Sequence, residues 1–236
     1  MNIYLAKLAD QAERYDDMAE YMTAVCGFGE GLSSQERNLL AVAYKNATGS
    51  RRSSLRMISA IEEKEVSSGN SALAAAAREY KAVVEQELLQ ICNKILRLLD
   101  EILIPGSRKG ETRVFYGKMK GDYYRYIAEF ASSAAKSGAI QRAHDAYRST
   151  MDIAEAQLPV THPTRLGLVL NFSVFNYEVL NDPDEGVRIA KEAFDDAVAH
   201  LDNIPEDTYK DSTLIIQLLR DNVIQWTSDA GEGLDY

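Results

Sequence analysis

The chain has 236 residues, enough to bury a substantial core in one or two domains. Its composition, 46% hydrophobic and 26% charged, is that of a globular protein and excludes a disordered chain. A formal net charge of -10 argues against a nucleic-acid binder, whose affinity depends on a broad basic surface. No apolar run reaches the roughly 18 residues of a transmembrane helix, and the N-terminus lacks a secretion pattern, so we expect neither membrane insertion nor secretion.

In chain order, the sequence predicts helices nearly throughout, because apolar residues recur three and four apart and alternating strand patterns are absent. Loops are indicated at GFGEG (27–31), EVSSGNS (65–71) and LPVTHPT (158–164). No strand precedes GFGEG, which argues against a nucleotide-binding loop there. Asp182 and Pro183 predict an N-cap and a first-turn proline. The nine predicted helices span 1–14, 17–27, 33–66, 70–103, 109–133, 136–157, 162–180, 184–201 and 207–228.

This pattern predicts an all-α protein of paired antiparallel helices, with no repeat of fixed period. We expect one helical domain over 1–229 and a short acidic C-terminal tail over 230–236. The two isolated cysteines predict reduced thiols and a cytoplasmic protein, with the nucleus as a further location.

Positive charge is concentrated in two segments of this acidic chain. Residues 41–60 contain four bases and no acid, and residues 105–126 contain six bases and two acids, so each segment carries +4. A focused basic patch favours a small anionic target. Residues seven apart lie nearly on one face of a helix, and four predicted helices carry a pair of candidate binding residues with this spacing. The spacing alone is not specific, because two polar residues on any solvent-exposed helix face can show it. The pairs are Lys45 with Arg52, Lys118 with Arg125, Asn171 with Glu178, and Ile215 with Asn222.

Seven segments, in order, resemble the 14-3-3 family and together span nearly the entire chain. They are LADQAERYDDM (8–18), ERNLLAVAYKN (36–46), GSRRSSLR (49–56), REYKAVVEQEL with ICN (78–93), VFYGKMKGDYYRYIAE (114–129), THPTRLGLVLNFSVFNYEVLN (161–181) and YKDSTLIIQLLRDNVIQWTSD (209–229). The resemblance implies about nine antiparallel helices in a cup-shaped bundle that forms a homodimer. It also implies a non-catalytic adapter, whose amphipathic groove binds phosphoserine or phosphothreonine motifs of client proteins.

The resemblance assigns residues to the phosphate and to the peptide. The implied phosphate-binding residues are Lys45, Arg52, Arg125 and Tyr126. The implied peptide-binding residues are Lys118, Leu170, Asn171, Val174, Glu178, Leu214, Ile215, Leu218, Asn222 and Trp226. The chemistry agrees, because a phosphoseryl group carries close to two negative charges and arginine presents a matching fork of donors. Gln225 and Asn176 depart from the family pattern and are expected to alter sequence preference beyond the phosphate.

The resemblance also implies a dimer interface built by the N-terminal helices. Its expected residues are Arg14, Asp17, Ser54, Leu55, Tyr80 and Glu87. Arg14 and Glu87 are expected to pair across protomers, whereas Val83 replaces the lysine that would pair with Asp17. Where isoforms coexist, this change is expected to affect the choice between homodimer and heterodimer. Phosphorylation at Ser54, which follows two arginines, is expected to loosen the dimer.

Other functional classes have weaker support. The three histidines lie in different segments without metal-ligand spacing, and no Walker loop or nucleophile motif is present, so we expect no catalytic residue, metal or cofactor. A tetratricopeptide-type scaffold that binds unmodified peptides or chain termini is the remaining alternative, and loss of binding when a ligand is dephosphorylated would exclude it.

Overall fold

The computed structural model describes residues 1–27, 31–107, 110–131 and 133–232, and within these ranges it contains nine long helices and no strand. The all-α prediction is confirmed. The helices are α1 (Asn2–Gln11), α2 (Tyr15–Cys26), α3 (Ser34–Ser67), α4 (Ser71–Leu98), α5 (Glu111–Phe130), α6 (Ser133–Gln157), α7 (Pro163–Val174), α8 (Pro183–Ala199) and α9 (Glu206–Glu232). The centre of the GFGEG segment and the last four residues of the predicted tail lie outside the described residues.

Local sequence explains several helix starts. Ser33 and Glu36 form a capping box at the start of α3, in which each side chain accepts a hydrogen bond from the backbone of the other. The Asp182 carboxylate accepts from the Glu185 N–H at the start of α8, as the sequence predicts. α9 continues to Glu232, four residues beyond the predicted end of this helix at 228.

Two helices end in π-helical turns that the sequence pattern did not predict. α4 continues through Leu99–Leu103 and a short turn at Ile104–Gly106, and α7 continues through Phe175–Val179. Pro105 has no N–H to donate, so a wider turn before it accommodates the missing helical bond. The second π turn adds about one residue to the helical register. The seven residues between Asn171 and Glu178 therefore span a π turn and not a regular α-helix, and the prediction that these two residues share a face stays a prediction.

The chain folds into two compact units. The first unit comprises Met1–Ser107 and Glu129–Lys136. Within it α1 packs on α2, α2 on α3 and α3 on α4. Its core contains large side chains from α2 and α3, together with two free cysteines that are both buried. The largest fully buried members are Met18, Met22, Leu40, Tyr44 and Leu55.

The second unit comprises Arg108–Ala128 and Ser137–Tyr236. One of its hydrophobic clusters joins α5, α6, α7 and α8 around the aromatic rings of Tyr147, Phe172 and Phe175. A second cluster joins α7, α8 and α9 around Leu166, Leu219 and Trp226. In the part of the chain that the structure describes, no helix is long and apolar enough to cross a membrane.

Candidate functional site

The basic, aromatic stretch KMKGDYYRY lies within α5, and two glycines of this helix allow α6 to approach closely. A Cβ atom at Gly121 would lie 2.6 Å from the Tyr147 ring, and one at Gly117 would lie 2.2 Å from Thr150 Oγ1. Both distances are shorter than real contacts allow, so any larger residue would push the α6 side chains away. Glycine at these two positions therefore brings the Tyr147 hydroxyl within reach of the polar face of α5.

Asp122 lies at the centre of a hydrogen-bond network on that face. The residue is 6% exposed, and its carboxylate accepts hydrogen bonds from three side chains on three helices. Lys118 Nζ donates to Oδ2 over 2.8 Å, while the Tyr147 hydroxyl and Asn171 Nδ2 donate to Oδ1 over 2.5 and 2.7 Å. Arg125 Nη2 lies 3.8 Å from the same Oδ1 atom. The Asp122 carboxylate thus fixes the side chains of Lys118 and Asn171 and lies close to that of Arg125.

Electrostatics keeps Asp122 ionised. Burial by itself raises the pKa of this carboxyl, but the charges of Lys118 and Arg125 and the hydrogen bonds from Lys118 and Tyr147 outweigh it and lower the pKa below its ordinary value. Burial and the adjacent Asp122 charge raise the pKa of Tyr147 well above its ordinary value, so the hydroxyl stays a donor. One carboxylate faces two cations, and the cluster retains an excess of positive charge.

Arg125 is held at a fixed position within this cluster. Its Nε donates to the Tyr147 hydroxyl over 3.3 Å, and its guanidinium carbon lies 4.9 Å from the centre of the Tyr126 ring. Tyr126 in turn packs edge-on against Tyr123. Burial opposes the charge of Arg125, but Tyr147 and Asp122 raise the pKa of its guanidinium. The arrangement holds a permanent cation against an aromatic ring, and a guanidinium is a suitable donor to an oxyanion.

Lys118 also lies beside residues of α7 and α9 that were assigned to the peptide. A Cβ atom at Gly167 would lie 3.6 Å from Lys118 Cε and 3.9 Å from Ile215 Cδ1. Asn171 follows one turn later on α7 and shares Asp122 with Lys118. The second unit therefore brings three predicted peptide-binding residues together.

The apolar residues of α9 do not share one environment. Leu214 is 59% exposed and Leu218 is also exposed, whereas Leu219 and Trp226 are buried. Leu170 and Val174 of α7 are half-buried against the cluster that contains Trp226. The exposed leucines give α9 an apolar surface that its own unit does not cover.

Trp226 is a core residue in this structure. Its ring is 6% exposed and stacks on Tyr177 with 4.3 Å between ring centres. Asn222, one turn earlier, is half-buried, and Glu178 is exposed. Asn176 is buried and donates to the Phe172 carbonyl oxygen, so its side chain supports the end of α7.

In the first unit, the two predicted phosphate-binding residues differ in their contacts. Lys45 is exposed and forms no ion pair with any residue in the described ranges. Arg52 Nε donates to Glu129 Oε2 over 2.8 Å, and Arg56 binds the other oxygen of the same carboxylate. Glu129 therefore fixes the direction of the Arg52 side chain.

The residues predicted for a dimer surface lie in the first unit. Arg14 pairs with Asp17 one turn away. Glu87 accepts from Arg51. Tyr80 is 62% exposed and Val83 is also exposed.

Leu55 is the exception among these residues, because its side chain is 0% exposed within the protomer. Its assignment to a contact surface is not supported by this burial. The adjacent Ser54 is exposed and donates to the Ser50 carbonyl oxygen.

Three side chains that organise the basic residues were not predicted from the sequence, namely Asp122, Tyr147 and Glu129. A signal for the first was present, because Asp122 lies four residues after Lys118 and three before Arg125, the spacing of neighbours on a helix. No local signal identifies Tyr147 or Glu129, since their partners lie 22 to 77 residues away in sequence.

Comparison with known proteins agrees with the resemblance noted above. The family model described as "14-3-3 protein" matches residues 5–227. The chain is 57% identical to 14-3-3-like protein GF14-F of Oryza sativa subsp. japonica over 98% of its own length and 90% of that protein. It is 56% identical to 14-3-3-like protein A of Hordeum vulgare, with 98% and 89% covered, and 55% identical to 14-3-3 protein 6 of Solanum lycopersicum, with 97% and 90% covered. The chain belongs to the 14-3-3 protein family.

Proposed function

We propose that this protein is a non-catalytic adapter that binds phosphoserine or phosphothreonine motifs of client proteins and regulates those clients as a dimer. Family membership supports the adapter role. The observation that carries the phosphate specificity is the excess positive charge around Asp122, where Lys118 and Arg125 face a single carboxylate. A dianionic phosphate is the ligand that such an excess favours.

The proposed phosphate ligands are Lys45, Arg52, Arg125 and Tyr126, and we assign all four on the family resemblance. Two guanidinium groups offer forked donors, a lysine adds a point charge and the tyrosine hydroxyl adds one further donor. Charge-assisted hydrogen bonds contribute roughly 1.5–3 kcal/mol each, so loss of two or three predicts discrimination of about a thousandfold against an unphosphorylated ligand.

The peptide on either side of the phosphate is proposed to contact α7 and α9. Lys118, Asn171 and Asn222 supply donors and acceptors for an extended backbone, and Glu178 is proposed to contact a flank. The exposed Leu214 and Leu218, with Ile215, Leu170 and Val174, supply apolar surface for side chains of the client. Because Trp226 is stacked on Tyr177, we propose that it supports the peptide site through packing and offers the ligand only a small part of its surface.

We further propose that the dimer forms through the N-terminal helices, with Arg14, Asp17, Ser54, Tyr80 and Glu87 at the interface. Arg14 and Glu87 both have partners within the chain, so a cross-protomer pair would have to exchange with them. Exposed ion pairs contribute only about 0–1 kcal/mol, so the loss of a lysine at Val83 is compatible with dimerisation. Two protomers would hold two phosphorylated motifs of one client and gain affinity through effective concentration.

Fluorescence polarisation of a labelled peptide with an Arg-Ser-x-phosphoSer-x-Pro core tests the proposal, with its unphosphorylated twin measured alongside. We expect a dissociation constant of about micromolar or tighter for the phosphopeptide and about a thousandfold weaker binding of the twin. Arg125→Glu and Arg52→Glu should each abolish measurable binding. Arg97→Glu, which reverses an exposed charge on α4, is the matched control and should bind as the wild type does.

Two outcomes would contradict the proposal. Equal binding of both peptides would favour a tetratricopeptide-type scaffold, in which phosphate plays no part. Binding that survives Arg125→Glu would show that Arg125 does not hold the phosphate. Below a pH of about 6 the phosphoserine loses its second charge, and affinity should fall as the pH decreases through this value.

A further inference from the structure

A single buried carboxylate, that of Asp122, contacts side chains assigned to both parts of a phosphopeptide. Lys118 and Asn171, assigned to the peptide backbone, donate to it directly. Arg125, assigned to the phosphate, lies 3.8 Å from it and is bonded to its partner Tyr147. We propose that Asp122 is a positioning residue that couples recognition of the phosphate to recognition of the peptide backbone, an inference that rests on the function proposed above.

The hydrogen bonds use both oxygens of the carboxylate and so fix its orientation. Oδ2 accepts from Lys118, and Oδ1 accepts from Tyr147 and Asn171. A rotation of the carboxylate would break bonds to α6 and α7 at the same time, because Tyr147 and Asn171 lie on those helices. The position of Lys118 on one side and of Arg125 on the other is therefore set by the same group.

The physical benefit of this arrangement is that the basic side chains are ordered before the ligand binds. Lysine and arginine side chains have many rotamers, and immobilising them only when a ligand arrives lowers affinity. Asp122 orders them in advance, while its single charge leaves the pair with a net positive charge for the ligand. Asn171 gives one Nδ2 hydrogen to Asp122 and keeps its second hydrogen and its carbonyl oxygen for other partners.

A purely structural role is the competing explanation, since a buried network also stabilises the fold. The two roles differ in how mutations combine. If Asp122 positions Lys118, then removing Asp122 makes Lys118 less useful to the ligand, and the two losses in affinity do not multiply. If Asp122 only stabilises the second unit, the contribution of Lys118 to binding stays the same in its absence.

The test is a double-mutant cycle with Asp122→Asn and Lys118→Ala, measured by fluorescence polarisation with the phosphopeptide described above. We expect Asp122→Asn to weaken binding at least about tenfold, since it removes one charge-assisted contact and loosens two others. Lys118→Ala should weaken binding in the wild type by a certain factor. In the Asp122→Asn background, the factor by which Lys118→Ala weakens binding should be at least about three times smaller. An affinity of Asp122→Asn within about twofold of the wild type, or two factors that multiply, would overturn the inference.

Because a buried asparagine at position 122 can impair folding, a second variant is measured in parallel with thermal melts of each protein. Tyr147→Phe keeps the ring and removes only the hydroxyl that joins Asp122 to Arg125. Tyr44→Phe removes another buried tyrosine hydroxyl, which contacts Thr23 in the first unit, and is the matched control. We expect at least about threefold weaker binding for Tyr147→Phe and no change for Tyr44→Phe.

The outcomes separate this inference from the function on which it rests. If the wild type binds the phosphopeptide but Tyr147→Phe binds as tightly as Tyr44→Phe, the coupling role is refuted and the adapter function stands. If the folded wild type does not bind the phosphopeptide, the proposed function fails and the coupling role fails with it. Weaker binding by Tyr147→Phe at an unchanged melting temperature supports the positioning role.

Discussion

At the scale of single residues, burial controls the chemistry of the two thiols. Cys26 and Cys92 are both buried and free. Burial raises the pKa of Cys26 to about 11 and that of Cys92 to about 12, although the charge of Arg52 acts against burial at Cys92. The thiolate is the reactive form, so both side chains should behave as inert hydrophobic groups.

We therefore predict that the native protein reacts with a thiol reagent at pH 8 at least about a hundredfold more slowly than the same protein in guanidinium. Labelling followed by mass spectrometry measures this rate, and two labels should appear only after denaturation. Ser149→Cys places a thiol on an exposed position of α6 and controls for reagent activity. Rapid double labelling of the native wild type would show that α2 and α4 open readily.

At the scale of secondary-structure elements, the N-cap of α7 is a titratable side chain. His162 precedes Pro163, and its Nδ1 accepts from the Thr164 N–H over 3.2 Å. Burial lowers the pKa of His162, and the nearby Glu111 acts in the opposite direction. Protonation would turn the acceptor into a donor and remove the cap from a helix that carries Leu170 and Asn171.

The direction of the pH effect follows from this lowered pKa. As the pH falls, His162 of the unfolded chain takes up its proton at about pH 6.5, and His162 of the folded chain takes it up only at a lower pH. The contribution of His162 to stability is therefore complete above about pH 6.5 and decreases as the pH falls toward the folded pKa. We predict that the urea midpoint of the wild type falls more between pH 7 and pH 5 than that of His162→Asn, which keeps a capping side chain without titrating. His200→Asn is the control and should retain the wild-type slope, whereas equal slopes for all three proteins would refute the capping role.

At the scale of the whole molecule, the proposed dimer should respond to charge at Ser54. Its hydroxyl is exposed and bonded only to the Ser50 carbonyl within the described structure, so a larger anionic side chain fits the isolated chain. We predict that Ser54→Glu raises the dimer dissociation constant about tenfold or more, because a charge would be desolvated at the interface. Ser54→Ala is the matched control. Sedimentation velocity across a dilution series measures both, and unchanged dissociation of Ser54→Glu would place Ser54 away from the interface.

Much of the architecture could be predicted from local sequence. Helical periodicity, the capping box at Ser33 and the Asp182-Pro183 start depend on neighbours within about one turn, so the sequence expresses them directly. The family motifs KMKGDYYRY and LLRDN identified the chain's family, which the comparisons confirm. The π turn at Phe175–Val179 was missed, because apolar periodicity does not separate a single π turn from an α-helix, and its Phe175 lies in the core of the second unit.

By itself, the sequence determined the all-α class, most helix ends, the family and the candidate residues for phosphate and peptide. Only the tertiary structure decided which of those residues share partners and which are buried. Periodicity shows that one face of α9 is apolar, but the packing of α7 and α8 decides that Trp226 is covered while Leu214 is not. In the same way, Asp122 gathers Lys118, Tyr147 and Asn171 because three helices converge on it, and such long-range convergence leaves no local pattern in the chain.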